Sequence, residues 1–282
     1  MGTVVYGSDV SLELRLIMKG KIEQFIREGK RVPCLGVILV GKNPASVSYV
    51  KGKTKACDSI GMLTKEVVLP TDVSMVALRK EIQAMNNDKT IDGILLQLPL
   101  PKELSENEAI KAILPSKDVD GLHPVNVGNL YLDEPGFIPC TPLGIIALLE
   151  KMGCTFAGMN AVVIGRSKLV GAPVARLLQN KNATVTICHS KTENLQEICS
   201  KADILVVAIG KPKFITAEFV KEGAYVIDVG VNRMDDGKLC GDVDFENVKD
   251  KAGFITPVPK GVGPMTITML LHNTLKAYER NA

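Results

Sequence analysis

The chain has 282 residues, enough for one large domain or two medium ones with a substantial hydrophobic core. Its 34 basic and 31 acidic side chains leave a formal net charge of +3, so composition gives no reason to expect a nucleic acid or an anionic membrane as partner. No apolar run approaches the roughly 20 residues that span a bilayer, and the N-terminal segment lacks the basic-then-apolar layout of a secretory signal.

Seven cysteines are scattered singly along the chain, and none forms a C-x-x-C pair. An odd number at such spacing suits neither a disulfide framework nor a zinc site. The three histidines are equally dispersed, so we expect no metal site. The cysteines are expected to be small buried apolar residues of a protein in the reducing cytoplasm.

The first half of the chain alternates between helical and strand patterns. An amphipathic helix is predicted at 8–28, and an apolar strand follows at 32–41. The next predicted elements, in chain order, are a helix at 44–60 ending at Gly61, a strand at 64–69, a helix at 74–86, a strand at 92–98 and a helix at 105–113.

The helix at 44–60 carries Tyr49 and Lys53, which share one face because they are four residues apart. A lysine exchanges protons near neutral pH only if burial or neighbouring groups lower its pKa well below about 10.4. Spacing alone leaves open whether the pair serves a catalytic cleft or belongs to a solvated basic helix with an incidental tyrosine.

Two further sites in this half carry polar groups. Gln97 lies at the end of an apolar strand, where it either caps the strand or points into a cleft. The turn at 117–121 presents the carboxylates of Asp118 and Asp120, although turn chemistry by itself accounts for aspartates before a glycine.

The second half begins with Thr141 as N-cap and Pro142 at the first position of a predicted linking helix at 143–151. Strands are predicted at 162–164, 183–189, 203–210, 224–230 and 254–259, with helices at 192–202 and 217–222. Apolar strands that alternate with helices indicate a parallel sheet covered on both faces. In such sheets ligands bind beyond the carboxyl ends of the strands.

The turn after the strand at 162–164 suits a phosphate, because a strand that stops at Gly165 and re-enters a helix leaves backbone N–H groups facing outward. Its spacing is not G-x-G-x-x-G. A sheet that binds NAD usually places an acid at the end of the second strand, whereas here Ser190 and Lys191 close that strand and Arg166 lies in the first turn. Cations and donors suit a 2′-phosphate and so predict NADP; the alternative is an ordinary βαβ unit with solvated basic turns.

The predicted fold is therefore α/β, with two lobes and a cleft between them as the expected site. One lobe comprises 1–140, joined by a C-terminal helix in 264–282 that packs back on it. The other is a Rossmann-like cofactor domain at 141–263. Between its last strand and the C-terminal helix, a loop rich in proline and glycine at 257–266 suits close approach of backbone to a flat ligand.

Taken together, the segments closely resemble the bifunctional methylenetetrahydrofolate dehydrogenase/cyclohydrolase family. The matching segments are colinear and cover nearly the whole chain: 49–62, 93–101, 117–121, 139–144, 165–173, 189–192, 227–232, 241–245 and 259–266. The resemblance implies oxidation of 5,10-methylenetetrahydrofolate by NADP, followed by hydrolysis of the methenyl product to 10-formyltetrahydrofolate. It also implies a homodimer formed through the cofactor domain.

The resemblance implies a role for particular residues. Lys53 would be the general acid and base of hydrolysis, Tyr49 would orient it and order the folate, and Gln97 would tune its protonation. Asp120 would accept hydrogen bonds from the pterin. The implied cofactor positions are Gly165, Arg166, Ser167, Ser190, Val231 and Thr266, and the implied loop beside folate and nicotinamide adds Gly261, Val262, Gly263 and Pro264.

One residue departs from the family pattern, because Lys260 stands where the family normally has glycine. Lysine there strains the turn if its φ is positive, and we hypothesise that its ammonium reaches the glutamate tail of folate or a cofactor phosphate. Two alternative functions are a dehydrogenase without cyclohydrolase activity and a non-catalytic folate or nucleotide sensor. The presence of Lys53, Tyr49 and Gln97 argues against both.

Overall fold

The computed structural model describes residues 2–281, and the chain divides into two compact units. The first unit contains the N-terminal residues up to Leu12 together with Thr141–Thr266. The second contains Glu13–Cys140 and the residues from Ile267 on. The predicted boundary at 140 groups residues 2–12 with the second unit, but the structure places them in the first.

The helices are bounded as follows: α1 Gly7–Arg27, α2 Pro44–Ile60, α3 Met75–Asn87, α4 Glu106–Ala112, α5 Pro124–Leu132, α6 Cys140–Lys151, α7 Gly171–Asn180, α8 Leu195–Cys199, α9 Phe245–Val248 and α10 Val262–Asn281, with a 3₁₀ turn at Ala217–Phe219. The strands are β1 Thr3–Val4, β2 Cys34–Val40, β3 Leu63–Leu69, β4 Gly93–Leu96, β5 Asn160–Ile164, β6 Thr184–Cys188, β7 Ile204–Val207, β8 Tyr225–Asp228, β9 Asn232–Arg233, β10 Leu239–Cys240 and β11 Phe254–Ile255.

The first unit is built on a parallel sheet that, within residues 2–281, has six strands in the order β1-β11-β8-β7-β5-β6. Every residue of β7 is buried, as is every residue of β5 after its first. Such continuous apolar strands are what a parallel sheet covered on both faces requires. The fold class predicted from the sequence is confirmed.

The second unit contains a three-stranded parallel sheet in the order β3-β2-β4. Its central strand β2 is buried along its whole length, whereas the edge strand β3 contains only exposed and half-buried residues. Ile38, Ile82 and Ile94 lie at the centre of the apolar cluster that joins this sheet to α3. This packing holds the carboxyl end of β4, where Gln97 lies, in a fixed place.

Helix α2 begins and ends as local chemistry predicts. The side chain of Asn43 accepts hydrogen bonds from the backbone N–H groups of Ala45 and Ser46, and Pro44 opens the first turn. Gly61 ends the helix in the left-handed conformation at φ 79°. The position of Lys53 along this helix is therefore set by sequence signals at both ends.

Several predicted elements are shorter in the structure. The helix predicted at 192–202 is reduced to α8, and the strand predicted at 254–259 ends at Ile255, because prolines at 257 and 259 have no N–H to donate to a ladder. The helix predicted from 143 begins at Cys140, so Thr141 lies in its first turn rather than at its N-cap. No helix in the described range 2–281 is both long and apolar enough to cross a membrane.

Candidate functional site

Lys53 and Gln97 meet in the second unit. The Nζ atom of Lys53 donates a hydrogen bond of 2.9 Å to Oε1 of Gln97. The Gln97 backbone N–H donates to the carbonyl of Ile38 in β2, and its side-chain amide donates to the carbonyl of Leu98. The glutamine is thus held at both ends, and its oxygen is presented to the lysine.

The surroundings of Lys53 favour its neutral form. Burial lowers the pKa of its amine below the ordinary value, and the negative charge of Asp120 and the thiol of Cys140 oppose that shift. An amine with a lowered pKa and a fixed acceptor can both take up and release a proton. The predicted residues Lys53, Gln97 and Asp120 are therefore brought together in one polar cluster.

The turn that carries Asp120 is held by its neighbour Asp118. The carboxylate of Asp118 accepts hydrogen bonds from the backbone N–H groups of Leu122 at 3.2 Å and His123 at 2.7 Å, and from the side-chain amide of Asn126 at 2.8 Å. Burial raises the pKa of Asp118 to about 6, against the effect of these donors. Turn chemistry explains Asp118, and the half-buried Asp120 lies two residues further along the same turn.

Helix α10 ties this turn to the segment before α6. The side-chain amide of Asn273 donates to the carbonyl of Val119 at 2.9 Å and to that of Ile138 at 3.0 Å. The Cys140 thiol donates to the same Val119 carbonyl at 3.4 Å, and burial raises the pKa of this thiol well above the ordinary range. Sequence reasoning missed Asn273; the available signal was an amide within an apolar helix.

Tyr49 lies one turn before Lys53 on α2, and its side chain is 58% exposed. An exposed ring beside a half-buried amine offers a surface on which a flat ligand can stack. The structure therefore keeps the predicted pair on one helix and leaves the phenol open to a ligand.

In the first unit, the turn after β5 requires glycine at two positions. Gly165 has a φ of 119°, and a Cβ atom there would lie 2.3 Å from the carbonyl oxygen of Ala208. A Cβ on Gly171, the first residue of α7, would lie 2.1 Å from the carbonyl oxygen of Gly165. Ser167 Oγ accepts weak hydrogen bonds from the N–H groups of Val170 and Gly171, so it caps the start of α7.

Donors and cations surround this turn. The side chains of Arg166, Ser190 and Lys191 are all exposed. The turn after β6 is held by His189, whose Nδ1 accepts from the backbone N–H of Lys191, and by Thr192, whose hydroxyl accepts from the backbone N–H of His189. Because these two side chains shape the turn, the hydroxyl of Ser190 and the amine of Lys191 remain available to a phosphate.

The remaining predicted positions of this unit lie on two other segments. Val231 follows β8 with its side chain 57% exposed. A Cβ on Gly261 would lie 2.3 Å from the carbonyl oxygen of Pro257, so this turn needs glycine, whereas a Cβ on Gly263 would meet open space. Val262 begins α10, with Pro264 in its first turn. The hydroxyl of Thr266 is 2.8 Å from that of Thr141.

Lys260 adopts a φ of 79°, so the residue that departs from the family pattern sits in a conformation that favours glycine. Its exposed side chain lines a cavity of about 770 Å³, together with Lys213 and Lys238. The cavity is also lined by the acidic residues Asp235 and Asp244. The positive φ of Lys260 is the backbone conformation in which a lysine is strained. The predicted contact of its ammonium with a ligand stays a prediction.

Within residues 2–281, the structure brings together no group of three or more His, Cys, Asp or Glu side chains placed to hold a metal ion.

Comparisons with known proteins match both parts of the chain. Residues 5–120 match the family model of the tetrahydrofolate dehydrogenase/cyclohydrolase catalytic domain, and residues 139–282 match that of the NAD(P)-binding domain. The bifunctional protein FolD of Bacillus cytotoxicus is 52% identical over 280 residues, which cover 99% of this chain and 98% of that protein.

Two solved structures extend the likeness to the fold. The bifunctional FolD methylenetetrahydrofolate dehydrogenase/cyclohydrolase of Campylobacter jejuni superposes with a TM-score of 0.98 at 44% identity, covering 100% of both chains. The FolD enzyme of Trypanosoma brucei, solved with NADP cofactor and an inhibitor, has a TM-score of 0.93 at 38% identity and covers 99% of this chain and 98% of its own.

Proposed function

The chain belongs to the tetrahydrofolate dehydrogenase/cyclohydrolase family, and we propose that it catalyses both reactions in that name. In the first, 5,10-methylenetetrahydrofolate is oxidised to 5,10-methenyltetrahydrofolate with NADP as hydride acceptor. In the second, water opens the methenyl bridge to give 10-formyltetrahydrofolate. The single observation that carries the proposal is the hydrogen bond from Lys53 to Gln97 in the unit that matches the catalytic domain.

Lys53 acts as general base and then general acid of the hydrolysis. Its neutral amine accepts a proton from water as the water oxygen bonds to the methenyl carbon. The resulting ammonium donates a proton to N5 as the bond between that carbon and N5 breaks. The hydroxyl that water has left on the carbon releases its proton to solvent in the same step, which leaves the formyl group on N10. The lowered pKa of the amine supports this role, because an unperturbed lysine is almost fully protonated at neutral pH.

Three further side chains take part in the hydrolysis, one by holding the amine of Lys53 and two by binding the folate. Gln97 holds the amine through Oε1 and restricts its direction. The carboxylate of Asp120 accepts two parallel N–H groups from the edge of the pterin, a pairing for which a carboxylate is well suited. Tyr49 orders the folate from the exposed side of α2.

Residues at the carboxyl edge of the large sheet fit NADP. Gly165 permits close approach of the backbone, and exposed Arg166, Ser190 and Lys191 replace the carboxylate that would repel a 2′-phosphate. When bound, NADP supplies the ring that takes up the hydride. Ser167, Val231 and Thr266 complete the set of proposed cofactor contacts.

The oxidation needs orientation more than proton transfer, since a hydride leaves directly and no proton moves in that step. The turn at Gly261 and the first turn of α10, with Val262, Gly263 and Pro264, would present backbone to the flat rings of folate and nicotinamide. The tight packing at Gly261 supports a rigid surface for this purpose.

We also propose a homodimer in the cytoplasm, with subunits that meet through the NADP-binding unit. The cytoplasmic location is supported by seven free cysteines, six of them buried. The homodimer is carried over from the family resemblance. Light scattering should give twice the chain mass of 30.4 kDa; a monomer would contradict the proposal.

The near balance of positive and negative side chains supports small folates, rather than nucleic acid or membrane, as partners.

Two absorbance assays test the function. Turnover of methylenetetrahydrofolate is measured with NADP and with NAD, and hydrolysis of methenyltetrahydrofolate is measured separately without nucleotide. We expect oxidation with NADP and hydrolysis by the same preparation. Oxidation without hydrolysis would identify a monofunctional dehydrogenase, and binding without either reaction would identify a sensor.

A further inference from the structure

The first unit contains two buried aspartates that the proposed function does not use, one at the end of β8 and one just after β10. Asp228 is the last residue of β8. Its carboxylate accepts backbone hydrogen bonds from Gly230 at 3.0 Å, Asp242 at 3.0 Å and Val243 at 2.9 Å. Asp228 thereby holds the segment after β10 against the end of β8.

The second aspartate, Asp242, is fully buried. One of its oxygens accepts from the backbone N–H groups of Ile209 at 2.7 Å and Gly210 at 2.9 Å. The other accepts from the backbone N–H of Lys211 at 2.8 Å and from the side-chain amide of Asn232 at 2.9 Å. Four donors therefore converge on one carboxylate, which matches its full acceptor capacity.

Each aspartate packs against a glycine of the opposite segment, and this arrangement is possible only because those glycines have no side chain. A Cβ on Gly230 would lie 2.2 Å from Cγ of Asp242, and a Cβ on Gly241 would lie 1.7 Å from Oδ2 of Asp228. Each carboxylate thus occupies the space that a side chain would take on the opposite segment. The contact is close enough to fix the relative position of the two segments.

The segments that Asp242 holds are the ones that border the proposed cofactor positions. Ala208, directly before Ile209, provides the carbonyl oxygen against which Gly165 packs. Asn232 directly follows Val231, whose side chain is exposed. The carboxylate therefore connects the loop behind the phosphate turn with the loop that presents Val231.

We propose that Asp242 is a positioning residue for NADP: by binding the loop at 209–211 and the side chain of Asn232, it sets the surface formed by Gly165 and Val231. The inference rests on the proposed function. Asp242 itself does not contact the cofactor and acts only through the loop at 209–211 and the side chain of Asn232. Hydrolysis of methenyltetrahydrofolate needs no nucleotide, so it reports separately on the other unit.

The test compares two variants. In Asp242→Asn, an amide N–H₂ group replaces one carboxylate oxygen and faces N–H donors instead of accepting from them. This variant therefore perturbs the two segments more strongly than the loss of one donor does. Its fold is checked by circular dichroism. Asn232→Ala removes one donor and leaves the carboxylate with its three backbone partners, so it should fold. For each protein, the Kd for NADP is measured by calorimetry, and nucleotide-free hydrolysis of methenyltetrahydrofolate is measured alongside.

We expect the Kd for NADP to rise about tenfold in Asn232→Ala and further in Asp242→Asn, while hydrolysis stays within about twofold of wild type. The matched control is Asp203→Asn. Asp203 lies just before β7, at the amino ends of the strands and therefore away from the proposed cofactor positions. Its carboxylate accepts a hydrogen bond from the backbone N–H of Asn160 and pairs with Lys221. That variant should leave the Kd for NADP unchanged.

Three results would overturn the inference: an unchanged Kd in folded Asn232→Ala, a parallel loss of NADP binding and hydrolysis, or an equal rise of the Kd in the Asp203→Asn control. Wild-type protein that bound no NADP would instead refute the proposed function. The two failures are therefore distinguishable.

Discussion

The amine of Lys53 and the side-chain oxygen of Gln97 are joined by a hydrogen bond of 2.9 Å that links the middle of α2 to the exit of β4. The glutamine is itself held by the backbone of β2 and by Leu98. The lysine is therefore directed by a neutral acceptor, while the charge of Asp120 influences its pKa from the neighbouring turn.

Replacing Lys53 separates the two proposed reactions. In Lys53→Met we expect the rate of methenyltetrahydrofolate hydrolysis to fall at least about 100-fold, because general acid–base catalysis is lost. Hydride transfer to NADP should be partly retained, since it needs no proton transfer. Lys55→Met is the matched control, because Lys55 is an exposed lysine two residues further along the same helix. Full hydrolytic activity in Lys53→Met would remove the lysine from the mechanism.

The pH dependence of hydrolysis tests the electrostatic coupling of Asp120 to Lys53. The negative charge of Asp120 raises the pKa of the amine, so Asp120→Asn should lower it further. Since the neutral amine is the active base, the acid limb of the kcat–pH profile should move to lower pH by about one unit. The measurement uses saturating methenyltetrahydrofolate, because the KM should also rise. An acid limb that stays at the same pH, or that moves to higher pH, would contradict the coupling of Asp120 to Lys53.

Selectivity for NADP tests the role of the cations near the phosphate turn. Arg166→Met should raise the KM for NADP by about 10- to 100-fold, the effect of losing a charge-assisted hydrogen bond worth about 1.5–3 kcal/mol. The KM for NAD should stay within a few-fold, because NAD has no 2′-phosphate. Lys168→Met, which also removes an exposed cation from this turn, is the control. Equal losses for both cofactors would argue against a 2′-phosphate contact.

The left-handed conformation of Lys260 predicts a gain in stability on substitution. Lys260→Gly should raise the free energy of unfolding by about 1 kcal/mol, because glycine adopts a φ of 79° without strain. If the ammonium contacts the glutamate tail of folate or a cofactor phosphate, the KM for one ligand should rise. Denaturant unfolding and steady-state kinetics measure the two effects. Unchanged Michaelis constants for both ligands would end the hypothesis of a ligand contact.

Local signals predicted much of the fold. The apolar run at 32–41 contains β2, and Gly61 ends α2 where expected. By contrast, β1 was not predicted, because its two residues become a strand only by pairing with β11, some 250 residues away along the chain (Thr3 with Phe254). The hairpin of β9 and β10 pairs locally, but it is also absent from the prediction, because two-residue strands carry no periodicity.

Sequence by itself determined the alternation of buried strands and helices, because apolar runs, caps and glycine turns act over a few residues. The family was indicated separately, by the resemblance of the colinear motifs. It also singled out Lys53 and Gln97 as candidates. Only the tertiary structure decided that these two side chains, 44 residues apart, form a hydrogen bond, and that burial lowers the pKa of the amine. It likewise brought four donors from two loops onto Asp242. Desolvation and convergence of distant donors arise only when the chain has folded, so no local pattern encodes them.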